Sequence, residues 1–360
     1  MPMKKKIFNL LVAIGNILGV NKLVIKLYKS AFDKTIALSQ KDRIFGEFTD
    51  SFNQKHKLHT EIRDLIKPGW QAMFDVPKSQ KTPPKDKIVK KLNEWQNRLI
   101  TIENYLAAYD LTIKGKNVME IGAYDGATAY ALAKFGANKV IGSDIATYYI
   151  IQTPGVEITV EDVQLQNKKL AELRNIFAKE VNSEIANNVS FQEDNICNSS
   201  IPSESLDVIL SWEVLEHITK PENAFKEMAR ILKPGGIAFH EYNPFFSIYG
   251  GHSLCTLDFF WGHARLNNDD FERYVTEIRP NEKEVALSFY NDALNRMTLA
   301  QLEQYITNAG LKIVNVMPMI DREHLTHLDS STIKQIQNLY PSLTLHDLIA
   351  PFVWVLFQKP

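Results

Sequence analysis

Cysteine is scarce: 360 residues hold only Cys197 and Cys255, far apart in the chain. That excludes a disulfide framework and a CxxC metal clip, and it leads us to expect a reducing, cytoplasmic setting. Excess charge is missing as well. Lys and Arg number 41 against 42 Asp and Glu, a net charge of −1, so no nucleic-acid partner is expected. Long apolar runs are absent too. The most apolar early stretch, around Ile7, Leu10, Leu11, Ile14, Ile17 and Leu18, is interrupted by Asn9 and Asn16. It is too short to span a bilayer, and no clear small-residue cleavage site follows it.

That early segment is basic, with Lys4, Lys5, Lys6, Lys22, Lys26 and Lys29 and no acid before Asp33. Its apolar residues fall at helical spacing. Two readings follow: a helix packed on the protein's own body, or a basic amphipathic helix giving peripheral membrane contact through residues 4–29. The rest of residues 1–97 reads as a mainly helical N-terminal extension. It includes a lysine- and proline-rich loop (Pro77, Lys81, Pro83, Pro84, Lys85, Lys87) and the start of a helix at about 88–109 with Val89, Leu92, Trp95, Leu99 and Ile102 on its apolar face.

From Lys116 onward short apolar runs alternate with helical stretches. Strands are expected at 117–121, 139–143, 189–192, 207–211 and 236–241, then at 311–317 and 352–358. Helices are expected at about 127–134, closed by Gly136, at 222–232 behind Pro221, and from the capping box Thr298-Leu-Ala-Gln301 to Gly310. A further helix is expected around 331–339. Such alternation predicts an α/β fold, a doubly wound sheet over residues 98–360 with helices on both faces. Residues 243–297 break the pattern and read as an inserted cap.

Ligands of doubly wound sheets bind beyond the carboxyl ends of the strands. The first strand ends in Glu120, followed by Gly122 and Gly126 in the turn. The second ends in Asp144, 22 residues after Gly122, at the spacing where an acid takes ribose hydroxyls. The third runs into Glu193-Asp194-Asn195, whose side chains can accept from an adenine amino group. The fourth runs into Ser211-Trp-Glu-Val-Leu-Glu-His217. A dinucleotide fingerprint would require glycines at 122, 124 and 127, and only the first is present.

With Leu232-Lys-Pro-Gly-Gly236, these segments resemble class I S-adenosylmethionine-dependent methyltransferases of the small-molecule type, over residues 98–242 and again at 298–317. The resemblance implies a Rossmann-like seven-stranded sheet whose last strand is antiparallel, and S-adenosylmethionine as cofactor. It places Glu120 and Gly122 near the methionine part, Asp144 on the ribose, and Asp194 with Asn195 near adenine. Gly126 and Ser211 complete the expected cofactor set. The family's middle glycine is replaced by Tyr124.

An already activated methyl group needs its acceptor held in line, and an oxygen acceptor also needs a base. The catalytic candidates are His252 in the cap, His217 after the fourth strand, and Glu241, with His240 as its alternative at the end of the fifth. Arg265 and Arg273 are candidates for an acceptor carboxylate or phosphate clamp. No metal is expected, because neither His252, His263 and Asp258 nor His324 and His327 form a compact ligand motif. The expected acceptor is a small molecule such as a sugar, lipid or polysaccharide precursor. The competing reading is a catalytically inactive, cofactor-binding regulatory subunit of the same fold.

Overall fold

The computed structural model describes Leu38 and residues 41–74, 84–149 and 157–360. The segment expected to be amphipathic at 4–29 lies outside them, as do Pro77, Lys81 and Pro83. An antiparallel hairpin comes first, β1 (Ile44–Thr49) with β2 (Lys55–His59). The main sheet follows: β3 (Asn117–Ile121), β4 (Lys139–Asp144), β5 (Val189–Glu193), β6 (Leu206–Trp212), β7 (Leu232–Tyr242), β8 (Lys312–Met319) and β9 (Phe352–Gln358). Its order is β5-β4-β3-β6-β7-β9-β8. The first five strands are parallel, and β9 runs antiparallel to both its neighbours. The expected α/β class, the seven strands and the antiparallel last strand are all present.

Side chains alternate across the pleat, so each central strand feeds two cores. Val118, Val208 and Leu210 pack on one face with Leu99, Ile102 and Leu132. Met119, Ile121 and Ile209 pack on the other with Phe225, Met228 and Leu302. The helices supplying these residues are α1 (Lys85–Ala107), α2 (Ala127–Phe135), α3 (Pro221–Ile231) and α4 (Leu299–Asn308). Helix α4 opens with the expected Thr298–Gln301 capping box.

Helix α1 departs from expectation at one residue of its apolar face. Val89 is exposed, and the buried stripe is Ile88, Leu92, Leu99, Ile102 and Leu106. One residue of offset turns a side chain about 100° around the axis, enough to move it off the packed face. As the expected span of about 88–109 requires, the helix runs unbroken through residues 97 and 98. Ile88 and Leu92 already pack against Tyr130 and Phe177 of the main domain.

The hairpin is the second difference, because residues 44–59 form strands where helix and irregular chain were expected. Phe48, His56 and Leu58 face inward, while the lysines between them face water. Phe48 meets Tyr274 edge-on at 5.1 Å and His56 stacks on Phe259 at 4.5 Å. Arg63 adds a two-pronged pair to Glu282 at 3.0 and 2.9 Å. The hairpin thus shares one core with the inserted segment, including Phe245, Trp261 and Phe271, and with Ile336 and Leu348. Residues 243–297 are short helical turns around one longer helix, Asn268–Glu277. No helix among the described residues is long and apolar enough to cross a membrane.

Candidate functional site

A cavity of about 590 Å³ opens beyond the carboxyl ends of β3, β4, β5 and β6, within the usual size of a small-ligand site. Of the expected cofactor residues, Gly122, Asp144, Asp194 and Asn195 line it. Gly122 has φ +75°, and a Cβ there would stand 2.5 Å from the Val214 side chain. The position therefore requires glycine, and it brings bare backbone to the cavity wall. That is the cradle a bound ligand needs.

Tyr124, at the centre of the loop, has φ +40°. Its amide donates to Asp144 Oδ2 at 2.6 Å, and its carbonyl accepts from Arg174 Nε at 2.9 Å. The Tyr149 hydroxyl donates to the same Asp144 oxygen at 3.2 Å, and Arg174 stands 3.4 Å from it. Burial raises the Asp144 pKa, against the lowering pull of the Tyr124 amide and Arg174. Asp194 accepts from Ser199 and Ser200 through both oxygens, so its carboxylate folds the turn that forms the cavity wall. Asn195 Oδ1 accepts from the Cys197 amide, which leaves its NH₂ as the group able to meet a ligand.

Glu120, Gly126 and Ser211 do not line the cavity. Glu120 is sealed beneath the loop, where Thr128 hydrogen-bonds it and burial drives its pKa well above the ordinary carboxylate value. Gly126 (φ +80°) lies under Phe191, which a Cβ would meet at 2.6 Å. Both shape the loop from below. The Ser211 hydroxyl is fully buried and pairs with His240 Nδ1 at 2.6 Å. It points into the sheet core because β6 has not yet ended at residue 211.

The catalytic candidates also divide. His217 lines the cavity, and its Nδ1 lies 2.7 Å from the Ala293 carbonyl. A carbonyl only accepts, so Nδ1 carries the proton and Nε2 the lone pair. The His252 ring sits 5.0 Å from the His217 ring, centroid to centroid, and Phe289 packs edge-on against both. Burial lowers both imidazole pKa values, that of His252 to about 3. Glu241 is elsewhere. Its two oxygens accept from Arg98 Nη2 and, at 2.6 Å, from Trp354 Nε1, which fixes it on the α1 side of the sheet. His240 is sealed in the core, stacked on Phe357, and its pKa falls to about 3.

The proposed arginine clamp is not formed. Arg265 donates to Gln335 and to the Phe260 carbonyl, and Arg273 to Asp270 and the Thr49 carbonyl. Arg265 braces the cap against the helix Ser330–Leu339, and Arg273 ties it to the hairpin. Sequence reasoning missed Tyr148 and Tyr149, which line the cavity in a 3-10 turn right after the strand-ending acid. Applying the strand-end rule to the residues past Asp144 would have found them. It also passed over Glu216, a fully buried carboxyl beside His217 with pKa raised to about 8 by desolvation.

Residues 93–316, more than half of the chain, match the family model described as a methyltransferase domain. A ubiquinone biosynthesis O-methyltransferase from Coxiella burnetii is 26% identical over 173 residues, which cover 48% of this chain and 61% of that protein. The mitochondrial enzyme of the same description from Dictyostelium discoideum is 26% identical over 129 residues, 36% of each chain. The chain thus spans between about a third and three fifths of the length of these curated relatives. A solved S-adenosylmethionine-dependent methyltransferase from Mesorhizobium loti is 13% identical with a TM-score of 0.43, covering 71% of this chain and 96% of that one. The matched segment holds β3 to β7, the glycine cradle and the strand-end acids, and the chain belongs to the class I S-adenosylmethionine-dependent methyltransferase domain family.

Proposed function

We propose that this protein transfers a methyl group from S-adenosylmethionine to a small-molecule acceptor held between the loop after β6 and the cap. The observation that carries the reading is His217. One side of its turn lines the donor cavity, and its ring meets His252 from the cap. Donor and acceptor compartments therefore share a wall.

Gly122, Asp144 and Asn195 would hold the cofactor. When bound, S-adenosylmethionine supplies a methyl group already activated on a positively charged sulfonium. Tyr148, Tyr149 and Trp212 give the cavity an aromatic wall suited to a cation and an adenine ring. The chain's own task is then to bind, orient and exclude water. His217 and His252 present neutral imidazoles to the acceptor side: the His217 Nε2 lone pair can accept a proton from an acceptor hydroxyl, and His252, whose pKa burial lowers to about 3, can orient it. Phe289 from the cap packs against both imidazoles and adds an apolar surface beside them, which favours an acceptor with an apolar part, such as a lipid precursor.

Titration calorimetry with S-adenosylhomocysteine tests the donor half. Tritiated methyl transfer into organic-soluble and aqueous fractions of a cell extract tests the acceptor half. Label entering the organic fraction, with a strong loss of turnover in His252→Ala and cofactor affinity kept, is the expected result. Binding without transfer into any fraction would instead indicate the inactive, regulatory form of the fold.

A further inference from the structure

Three ligand-type side chains meet where the loop after β6 touches the cap. A carboxylate oxygen of Glu216 and one ring nitrogen each of His217 and His252 lie within 4.8 Å of one another. Among the described residues no other group of three His, Cys, Asp or Glu side chains is so arranged. Glu216 and His217 belong to the 3-10 turn Leu215–His217, and His252 opens the short helix His252–Cys255 of the cap. The sequence showed no ligand motif because the third member comes from a distant segment.

Each group is prepared as a ligand. Glu216 is fully buried, and Oε1 accepts from the Asn243 amide at 3.1 Å. Its Oε2 is buried with no hydrogen-bond partner among the described residues. A carboxylate oxygen in that state is costly unless something positive or protic meets it. His217 uses Nδ1–H on the Ala293 carbonyl. Metal-bound histidines commonly make that outer contact, which aims the Nε2 lone pair. His252 Nε2 is likewise buried without a partner among the described residues. His252 also has φ +46°, a left-handed conformation uncommon for a residue with a side chain. Such strain concentrates at functional positions.

We propose that Glu216, His217 and His252 bind a divalent transition-metal ion of the zinc class. Two imidazoles with one carboxylate suit zinc, cobalt or ferrous iron, whereas magnesium and calcium prefer all-oxygen shells. Ligand atoms around a tetrahedral ion stand about 3.4 Å apart for bonds of about 2.1 Å, so small side-chain rotations close the present spacing. Three protein ligands leave a further position for an exogenous oxygen. His217 borders the donor cavity, so that position lies on the acceptor side. An acceptor hydroxyl placed there becomes more acidic and releases its proton to solvent. Its oxygen then forms the new bond to the methyl carbon as the sulfur–methyl bond breaks.

Ion binding stands independently of the methyl-transfer reading, and only the ion's role in the reaction rests on it. Where the ion binds, the two imidazoles act as ligands in place of a free base. The test uses the full chain, stripped with chelator and titrated with Co²⁺ while its visible ligand-field band is followed. Wild type, His252→Ala and the isosteric Glu216→Gln are compared, with S-adenosylhomocysteine calorimetry on the same preparations as the measure of an intact donor cavity. One equivalent of Co²⁺ with an intense band is expected. Affinity should fall at least tenfold in each variant, and Zn²⁺ should displace the colour. Wild type that binds S-adenosylhomocysteine but develops no band overturns the site, and so do variants that titrate as wild type does. Co²⁺ binding without S-adenosylhomocysteine binding sinks the donor reading and leaves the metal site standing.

Discussion

The Tyr124 amide donates to Asp144 Oδ2 at 2.6 Å, so the residue in place of the loop's middle glycine is fastened to the acid that ends β4. Arg174 holds both partners, through the Tyr124 carbonyl and the Asp144 carboxylate. Asp144→Asn keeps the shape but removes the charge that this amide and guanidinium face. Charge-assisted bonds are roughly twice as strong as neutral ones. We expect S-adenosylhomocysteine affinity to fall about 10- to 100-fold, or about 1.4–2.8 kcal/mol, by calorimetry. An unchanged Kd would show that Asp144 only braces the loop.

Gly122 and Gly235 share almost the same φ, +75° and +76°, but differ in surroundings. A Cβ on Gly122 meets Val214 Cγ2 at 2.5 Å, whereas one on Gly235 has nothing within 4 Å. Gly235→Ala should cost about 1 kcal/mol for the left-handed backbone alone. Gly122→Ala should cost about 1–3 kcal/mol more through overpacking and should weaken cofactor binding. Adding Val214→Ala should restore part of the stability and none of the backbone cost. Urea denaturation of Gly235→Ala, Gly122→Ala, Val214→Ala and the Gly122→Ala/Val214→Ala double variant against wild type checks the cycle.

Glu241 distinguishes a scaffold role from a catalytic one. Its carboxylate is committed to Arg98 and Trp354, away from the cavity. Glu241→Gln should therefore lower stability by about 1.5–3 kcal/mol, the scale of a lost charged hydrogen bond, and leave the S-adenosylhomocysteine Kd as it was. A variant that kept its stability but lost methyl transfer would put Glu241 back among the catalytic groups.

What the sequence made legible follows from the range of the interactions involved. The sheet could be read because apolar runs, Gly136, Pro221 and the Thr298 capping box act within a few residues of themselves. Asp144 and Gly122 could be read because strand ends and tight turns constrain residue type locally. The hairpin was hidden because Phe48 and His56 gain their partners from Tyr274 and Phe259, more than 200 residues on. Ser211 and Glu241 were misassigned for a related reason. Whether a residue lies within the sheet or borders the cavity depends on where its strand ends, and β6 and β7 both extend past the expected limits. The Glu216–His217–His252 grouping depends on a fold-back of the cap that no local pattern encodes.

His263 sits fully buried in the cap, its Nε2–H donating to the Phe245 carbonyl at 2.8 Å. Desolvation lowers its pKa from 6.5 to about 4. The unfolded chain therefore takes up a proton as pH falls below 6.5, while the folded chain does not until about pH 4. Stability from this residue is complete above the unfolded value and is lost across that window. By linkage the loss at pH 5 is on the order of 2 kcal/mol. Glu216 and Glu120 work in the opposite direction, because their raised pKa values let the folded chain hold protons that the unfolded chain gives up. The wild-type curve alone mixes these effects, so the informative quantity is the difference from His263→Gln, whose amide can still donate to Phe245. The wild-type advantage over that variant should shrink by on the order of 2 kcal/mol between pH 7 and pH 5. A difference that stayed flat in urea titrations across that range would mean that His263 takes up its proton equally well in the folded cap.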